Sequence, residues 1–158
     1  MEPQLEQWVK KQGDHIQFKR LHLPFSGPAD PEAHLYLTLE AMGKAEEFQP
    51  KVFKAWHVDH LRLNTDAAIL DWVAKNGIDR TKFMDVWNSF GVTTRLRQLP
   101  QITSDYKVDG VPTIIIDGKY QTSPAIVYNS VKSSSEPVLF QATLQVMDAL
   151  VAKAAKSK

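Results

Sequence analysis

The tripeptide Gly110-Val111-Pro112 forms a bend immediately before the most apolar run of the chain, residues 113–116. That run is β-branched throughout and predicts a buried strand, and the Asp-Gly pair at 117–118 predicts a tight turn into a second strand over residues 119–122. Pro112 has no amide hydrogen to give to a central ladder, so it belongs at the first position of the strand, where a bend suits a cis peptide bond. A simple turn without further function is the alternative interpretation.

The sequence contains no cysteine among its 158 residues. Disulfides and thiolate metal sites are therefore excluded, and so is any reaction for which this chain must supply a sulfur nucleophile. The glycine-rich phosphate loops of nucleotide-binding proteins and the Gly-x-Ser-x-Gly elbow of serine hydrolases are also missing from the sequence. Nucleotide binding and serine hydrolysis thus have no support.

Two histidines, His57 and His60, are three residues apart on a predicted helix, which brings their imidazoles near one another. No third ligand is evident, because Asp59 lies between them in sequence and points to another part of the helix surface. We therefore expect no metal site and no cofactor. Both histidines are interpreted as residues of the surface or the edge of the core.

The charged residues are balanced, with 19 basic and 18 acidic side chains and a formal net charge of +1. They are interspersed without a basic stripe, so we expect neither a nucleic acid nor an anionic membrane surface as a partner. No uninterrupted apolar run approaches the roughly 18 residues of a membrane span, and the first residues lack the pattern of a signal peptide.

The periodicity of apolar residues predicts a helix, a strand, a long helical block, two strands and a closing helix. The alternating segment 15–23 is the first strand. Capping residues and glycines set the bounds of the helices, and Pro100 is expected to kink or split the last helix of the block. The predicted helices span residues 1–12, 32–42, 45–60, 65–77, 79–89, 93–105 and 136–158.

The residues at 117–124, Asp-Gly-Lys-Tyr-Gln-Thr-Ser-Pro, follow the Val-Pro bend directly. Together they resemble the proline loop and terminal hairpin of the DsbA family of thiol-disulfide oxidoreductases. The order of elements resembles that family over nearly the whole chain. The resemblance implies an α/β, thioredoxin-like fold with an inserted all-helical domain. Residues 1–27 and 108–158 would form an incomplete thioredoxin-like domain, and residues 28–107 the inserted helical domain.

In that family a Cys-x-x-Cys pair opens the first helix, and a proline kinks the helix shortly afterwards. If Pro3 is that proline, the pair falls just upstream of Met1, and the redox motif and N-terminal strand lie outside this sequence. The alternative is that Pro3 is the first-turn proline of a complete protein.

The resemblance implies that Gly110, Val111 and Pro112 bind substrate, because the residue before the cis-proline offers its backbone N–H and C=O to an extended peptide. It implies no catalytic residue in this chain. Arg20 and His22 flank a strand position near the family's active site and are second choices, as neighbours that tune a thiolate. The alternative is that both are ordinary strand-edge residues.

An intact member of the family introduces disulfides into exported proteins in the periplasm. Its implied partners are extended cysteine-containing polypeptides and a membrane redox protein. This cysteine-free chain is expected to be inactive. Two alternatives stay open: a redox-inactive peptide-binding or chaperone-like domain, and a relative of the kappa-class glutathione transferases and isomerases. The codons upstream of Met1 would distinguish the three functions. A Cys-x-x-Cys pair would indicate the oxidoreductase, neither cysteine nor serine the peptide-binding domain, and a lone serine the kappa-class relative.

The family's strand before Cys-x-x-Cys lies between the segment 15–23 and the strand at 113–116. Without it the middle of the sheet would be open, with unpaired backbone groups and exposed apolar side chains. Either the two remaining edges close directly on each other, or another copy of the chain or a further segment fills the gap by strand addition, and of these we favour self-association.

Overall fold

Eight α-helices and two strands form the chain over residues 1–157, which the computed structural model describes apart from the side chain of Glu2. One compact unit contains residues 1–20 and the described residues from 106 onward, and the other contains residues 21–105. The elements in chain order are α1 (Glu2–Gln12), α2 (Pro31–Ala41), α3 (Ala45–His57), α4 (Asp66–Lys75), α5 (Arg80–Trp87), α6 (Phe90–Asp105), β1 (Ile114–Ile116), β2 (Tyr120–Thr122), α7 (Pro124–Val131) and α8 (Glu136–Ala155).

The two strands form the antiparallel hairpin that the sequence predicts, with Ile115 opposite Gln121. Residues 117–119 connect the strands, so β2 begins one residue later than predicted, and Asp117 and Gly118 both have positive φ, 55° and 64°. Two consecutive residues with positive φ form a type I′ turn, whose twist matches that of the flanking strands. The local turn chemistry thus fixes the hairpin and its register.

The core of the first unit lies between α1, the hairpin and α8. Leu5 and Trp8 of α1 meet Met147 of α8 in a buried cluster. Each such side chain contributes roughly 1.5–3 kcal/mol by leaving water. This cluster supports β1 and therefore the loop that precedes it. The partly buried residues packed on the cluster are Val9, Ile16, Phe18, Ile114, Ile116, Leu144 and Val151.

The second unit is a bundle of the five helices α2 to α6. Three of them begin at capping side chains that accept a backbone N–H: Asp30 from Ala33, Thr65 from Ala68, and Asp79 from Lys82. These caps satisfy amides that have no partner inside the helix. The buried residues of the larger core cluster are Leu35, Leu39, Phe48, Ala55, Leu63, Ile69, Trp72, Val73, Ile78, Phe83 and Trp87.

The strand predicted over residues 15–23 is wrong. A 3₁₀ turn, Gly13–His15, follows α1, and residues 16–24 form no strand. Ile16 has the extended backbone that the alternation indicates, with φ −132° and ψ 154°. A strand also needs a neighbour to complete its ladder. Within residues 1–157 the only sheet is the two-stranded hairpin.

Three other differences concern the helices and the burial of β1. Helix α6 continues through Pro100 and is not split, because the proline removes a single backbone donor while the helix packs through Leu96 and Leu99. Helix α7 was not predicted, although Ser123 caps it by accepting the N–H of Ile126. The residues of β1 are half-buried instead of fully buried.

Helix α8 is long and apolar enough to cross a membrane by length and composition, with a mean hydropathy of 1.3 over its most apolar window. The sequence pattern indicated no such span. In the described chain α8 packs on α7, α1 and both strands.

Candidate functional site

The loop before β1 carries the predicted substrate-binding residues. Val111 is 65% exposed, and Gly110 and Pro112 are also exposed. The peptide bond between Val111 and Pro112 is cis. The hydroxyl of Thr113 donates a hydrogen bond of 2.6 Å to the carbonyl oxygen of Gly110. This bond closes the loop around Val111 and Pro112.

The elements on either side of the loop explain its position. Downstream, Ile114 and Ile116 anchor β1 on the buried cluster of Leu5, Trp8 and Met147. Upstream, Lys107 has a left-handed backbone with φ 51°, so the chain leaves α6 and changes direction before it reaches the loop. The loop is therefore an exposed segment that leads into a supported strand.

The loop can offer backbone hydrogen-bonding groups to an extended chain. Within residues 1–157 the N–H and C=O of Val111 make no backbone hydrogen bond to another residue. Pro112 has no N–H, so Val111 is the residue of this pair that can both donate and accept. An extended peptide could pair with Val111 in the manner of strand addition, and side-chain contacts would add to this pairing.

Arg20 belongs to the same compact unit as the loop. Its guanidinium carbon lies 4.8 Å from the centroid of the Phe18 ring, and its Nη2 atom lies 3.9 Å from Oε1 of Glu6. Both contacts hold the arginine along the extended segment that follows α1. The arginine side chain is partly exposed.

His22 falls in the other compact unit. Its Nε2 atom is buried without a hydrogen bond, 3.8 Å from Oε2 of Glu32. Burial lowers the pKa of His22, and Asp30 opposes this shift. Burial, with a further contribution from Asp30, raises the pKa of Glu32. Both shifts disfavour the charged forms, so near neutral pH the imidazole is uncharged and the two groups form no ion pair.

The histidines considered as metal ligands lie near the end of α3. His57 is exposed and packs against Phe53, with 4.2 Å between ring centroids. His60 is exposed and has positive φ, 51°. In the part of the chain that the structure describes, no group of three or more histidine, aspartate or glutamate side chains could hold a metal ion.

Sequence reasoning missed a polar contact between α1 and α8. Oδ1 of Asp148 accepts hydrogen bonds from Nε1 of Trp8 at 2.8 Å and from Nε2 of Gln12 at 2.7 Å. The one available signal is that Trp8 and Gln12 are four residues apart and so share a helix face. Nothing local indicates that their partner lies near the other end of the chain.

Comparison with known proteins gives consistent results. The family model described as DSBA-like thioredoxin domain matches residues 1–133. The thiol:disulfide interchange protein DsbA of Burkholderia cepacia is 40% identical over 150 residues, which are 95% of this chain and 66% of that protein. The chain thus spans about two thirds of the length of this relative.

Solved structures resemble the whole described chain. The crystal structure of Pseudomonas aeruginosa DsbA matches with a TM-score of 0.83 and 31% identity, covering 99% of this chain and 78% of that one. A structure of Proteus mirabilis DsbA with the non-covalently bound peptide PWATCDS matches with a TM-score of 0.76 and 21% identity, covering 94% and 78%. The fold is thioredoxin-like with the helical additions of DsbA, as predicted. The chain belongs to the DSBA-like thioredoxin domain family.

Proposed function

We propose that this chain is the peptide-binding part of a DsbA-like thiol-disulfide oxidoreductase that introduces disulfides into exported proteins. The observation that carries the proposal is the exposed residue Val111, whose N–H and C=O make no backbone hydrogen bond within residues 1–157, on a closed loop before β1. This loop falls within the residues matched by the DSBA family model. The proposal also assigns residues 1–27 and 108–158 to the thioredoxin-like domain and residues 28–107 to the inserted helical domain.

Substrate recognition in this proposal depends on the backbone. An extended polypeptide adds to the loop by pairing with the N–H and C=O of Val111, while Gly110 leaves room for the incoming chain. Backbone pairing tolerates many substrate sequences, which suits an enzyme that acts on many exported proteins. The peptide PWATCDS, bound non-covalently by the DsbA of Proteus mirabilis, supports the idea that this fold accommodates a cysteine-containing peptide.

The redox chemistry needs sulfur from outside these 158 residues, since the chain has no cysteine. In the intact enzyme a substrate thiolate attacks the disulfide of a Cys-x-x-Cys pair and forms a mixed disulfide, while one enzyme cysteine leaves as a thiolate. A second substrate thiolate then attacks the substrate sulfur of the mixed disulfide and releases the other enzyme cysteine. The substrate loses two electrons and gains a disulfide, and the enzyme pair becomes a dithiol. A membrane redox partner accepts those electrons, and the reaction takes place in the periplasm.

Arg20 is assigned a positioning role in this proposal, because a cation near a thiolate lowers the pKa of the thiol. His22 is assigned a weaker influence of the same kind. Burial of its imidazole lowers the pKa of His22 and favours the neutral form near pH 7, in which it contributes little charge.

A second candidate is a redox-inactive peptide-binding domain, which the absence of cysteine beside the retained loop favours. A relative of the kappa-class glutathione transferases is the remaining alternative. In-frame coding sequence upstream of Met1 distinguishes the three. A Cys-x-x-Cys pair supports the oxidoreductase, neither cysteine nor serine supports the peptide-binding domain, and a lone serine supports the transferase.

The activity test uses reduction of insulin by dithiothreitol. The protein expressed with its upstream coding sequence should accelerate insulin reduction, and replacement of the upstream cysteines by serine should abolish the acceleration. The chain of 158 residues should give the rate of the buffer control. Acceleration by the cysteine-free chain, or none by a protein with an intact Cys-x-x-Cys pair, would contradict the proposal.

A further inference from the structure

The turn that ends α4 contains the single Asn-Gly pair of the sequence, Asn76-Gly77, and every other asparagine is followed by serine or threonine. Glycine has no side chain to shield its backbone nitrogen, so this nitrogen can attack Cγ of the preceding asparagine. An Asn-Gly pair is therefore the sequence at which a side-chain amide is most easily lost as ammonia. Whether the reaction takes place depends on how the fold holds the two residues.

The fold holds this pair in a Schellman turn. The N–H of Ile78 donates to the carbonyl oxygen of Val73 at 3.0 Å, and the N–H of Gly77 donates to the carbonyl oxygen of Ala74 at 3.1 Å. These two bonds define the motif. Gly77 supplies the left-handed backbone that the turn requires, with φ 87°.

The closed turn blocks the attack in three ways. The N–H of Gly77 must lose its hydrogen, which is engaged with Ala74. Asn76 has ψ 13°, so the nitrogen of Gly77 is nearly eclipsed with the nitrogen of Asn76 about the Cα–C bond and is turned away from Cβ. The side-chain amide is also held, because Nδ2 donates to the carbonyl oxygen of Trp72 at 2.9 Å. The reaction therefore requires the turn to open.

The turn lies at the surface, whereas the residues on either side of it are anchored in the core. Gly77 is exposed and Asn76 is half-buried, but Val73 and Ile78 belong to the larger buried cluster. A helix end can open locally at a lower free energy than global unfolding. Water and hydroxide can then reach Gly77 while the helical bundle stays folded.

We propose that Asn76 is a site of spontaneous deamidation, and that opening of the turn after α4 controls the reaction. The deprotonated nitrogen of Gly77 forms a bond to Cγ of Asn76, the Cγ–Nδ2 bond breaks, and Nδ2 leaves as ammonia with a proton from water. Water then opens the cyclic imide. Attack of water at Cγ gives aspartate, and attack at the backbone carbonyl carbon gives isoaspartate. The reaction needs water alone and is independent of the loop at Val111.

Both products weaken the turn from which they form. An aspartate carboxylate cannot donate to the carbonyl oxygen of Trp72, and its negative charge lies at the C-terminus of α4, where the helix dipole disfavours it. Isoaspartate adds one carbon to the main chain before Gly77, so the two hydrogen bonds of the turn lose their spacing. The modification is therefore irreversible and lowers the stability of the helical unit.

The rate test compares the folded chain with the chain in concentrated urea, both at pH 8.5 over several weeks. Chymotrypsin cleavage after Trp72 and Phe83 releases the peptide 73–83, whose mass reports the replacement of NH₂ by OH at Asn76. Deamidation should be at least about tenfold slower in the folded chain. It should be slowed no less than hydrogen exchange of the Gly77 amide, because both processes need the same N–H to be released.

In the folded chain Asn76 should still be modified before any other asparagine. Equal rates in the folded and unfolded chain would overturn the proposal, and so would a slowing smaller than that of the Gly77 exchange. Absence of the modified peptide from the folded chain, or earlier modification of another asparagine there, would overturn it as well.

Two variants and one matched control connect the modification with its effect. Asn76→Asp reproduces one product and should lower the urea midpoint and accelerate exchange of the Gly77 amide about three- to tenfold. Asn64→Asp makes the same change at an exposed residue before α4 and should do neither. Asn76→Gln should prevent the mass change in peptide 73–83, because glutamine would have to form a larger ring. An unchanged midpoint in Asn76→Asp, or a modified peptide from Asn76→Gln, would contradict the proposal.

Discussion

The hydroxyl of Thr113 donates to the carbonyl oxygen of Gly110 at 2.6 Å, across the loop that contains Val111 and Pro112. This single side chain joins the start of β1 to the residue before the exposed valine. The bond ties the geometry of the loop to the strand that the buried cluster supports. Replacement of Thr113 can therefore test the rigidity of the loop without replacing Val111 itself.

Replacement of Thr113 by valine should loosen the loop, because valine has nearly the same shape and cannot donate to Gly110. We expect a loss of about 0.5–1 kcal/mol in the free energy of unfolding, measured by urea titration. Amide relaxation should show greater motion at Val111. Thr113→Ser keeps the hydroxyl and should retain the rigid loop, and equal motion in the two variants would exclude a role for this bond.

The cores of the helical unit provide a matched test of burial. Phe83 is 1% exposed within the larger cluster, whereas Phe90 is 85% exposed at the start of α6. Phe83→Ala should lower the free energy of unfolding by about 3–5 kcal/mol. Phe90→Ala should change it by less than about 0.5 kcal/mol. Similar losses for the two variants in urea unfolding would contradict the described packing.

Stability should fall as the pH is lowered through the unfolded pKa of His22, whose ordinary value is 6.5. The pKa of His22 is lowered in the folded chain, so the unfolded chain binds this proton more readily and acid favours unfolding. His22→Gln removes the difference. Urea unfolding at pH 7.5 and pH 5.5 should therefore show a smaller loss of stability in the variant than in the original chain.

Glu32 acts in the opposite direction. Its raised pKa means that the folded chain holds this proton more tightly than the unfolded chain. Its contribution to stability is fully present below the ordinary pKa of 4.5 that applies in the unfolded chain, and it is lost as the pH rises through the folded pKa. Glu32→Gln should therefore gain stability relative to the original chain as the pH rises from 4 to 7. If urea unfolding showed that the variant loses stability relative to the original chain over this range, the pKa of Glu32 would not be raised by folding.

Strand β1 pairs with β2 along one edge, and within residues 1–157 its other edge has no strand partner. We predict self-association at low micromolar concentration through this edge, measured by analytical ultracentrifugation. Ile115→Lys should favour the monomer, because a charge on an edge strand disfavours pairing. Gln121→Lys adds the same charge to β2 and should leave association unchanged. A stable monomer that unfolds cooperatively would contradict self-association.

The parts predicted correctly from the sequence depend on local chemistry. The Asp117-Gly118 turn and the caps at Thr65 and Asp79 are determined by side chains within a few residues. The same kind of signal, Ser123 followed by a proline, could have revealed α7. The prediction of a strand over residues 15–23 was wrong, because alternating apolar and polar residues indicate extended backbone without specifying a neighbouring strand.

The candidate sites differ in the same way. The loop at Gly110, Val111 and Pro112 is contiguous in sequence, so its residues could be named in advance. The polar contact between α1 and α8 could not, because Trp8 and Asp148 meet across 140 positions of the chain. Contacts of that separation follow from the packing of helices and strands, and no local pattern encodes them.

The most direct test of the central claim is a titration of ¹⁵N-labelled chain with an extended cysteine-containing peptide, acetylated and amidated so that its ends carry no charge. We predict weak binding, with a Kd of about 1 mM or above, because few backbone contacts form and no mixed disulfide can prolong them. The amide shifts should be centred on Val111 and Thr113. Tight binding centred away from this loop would contradict the assignment of the substrate site.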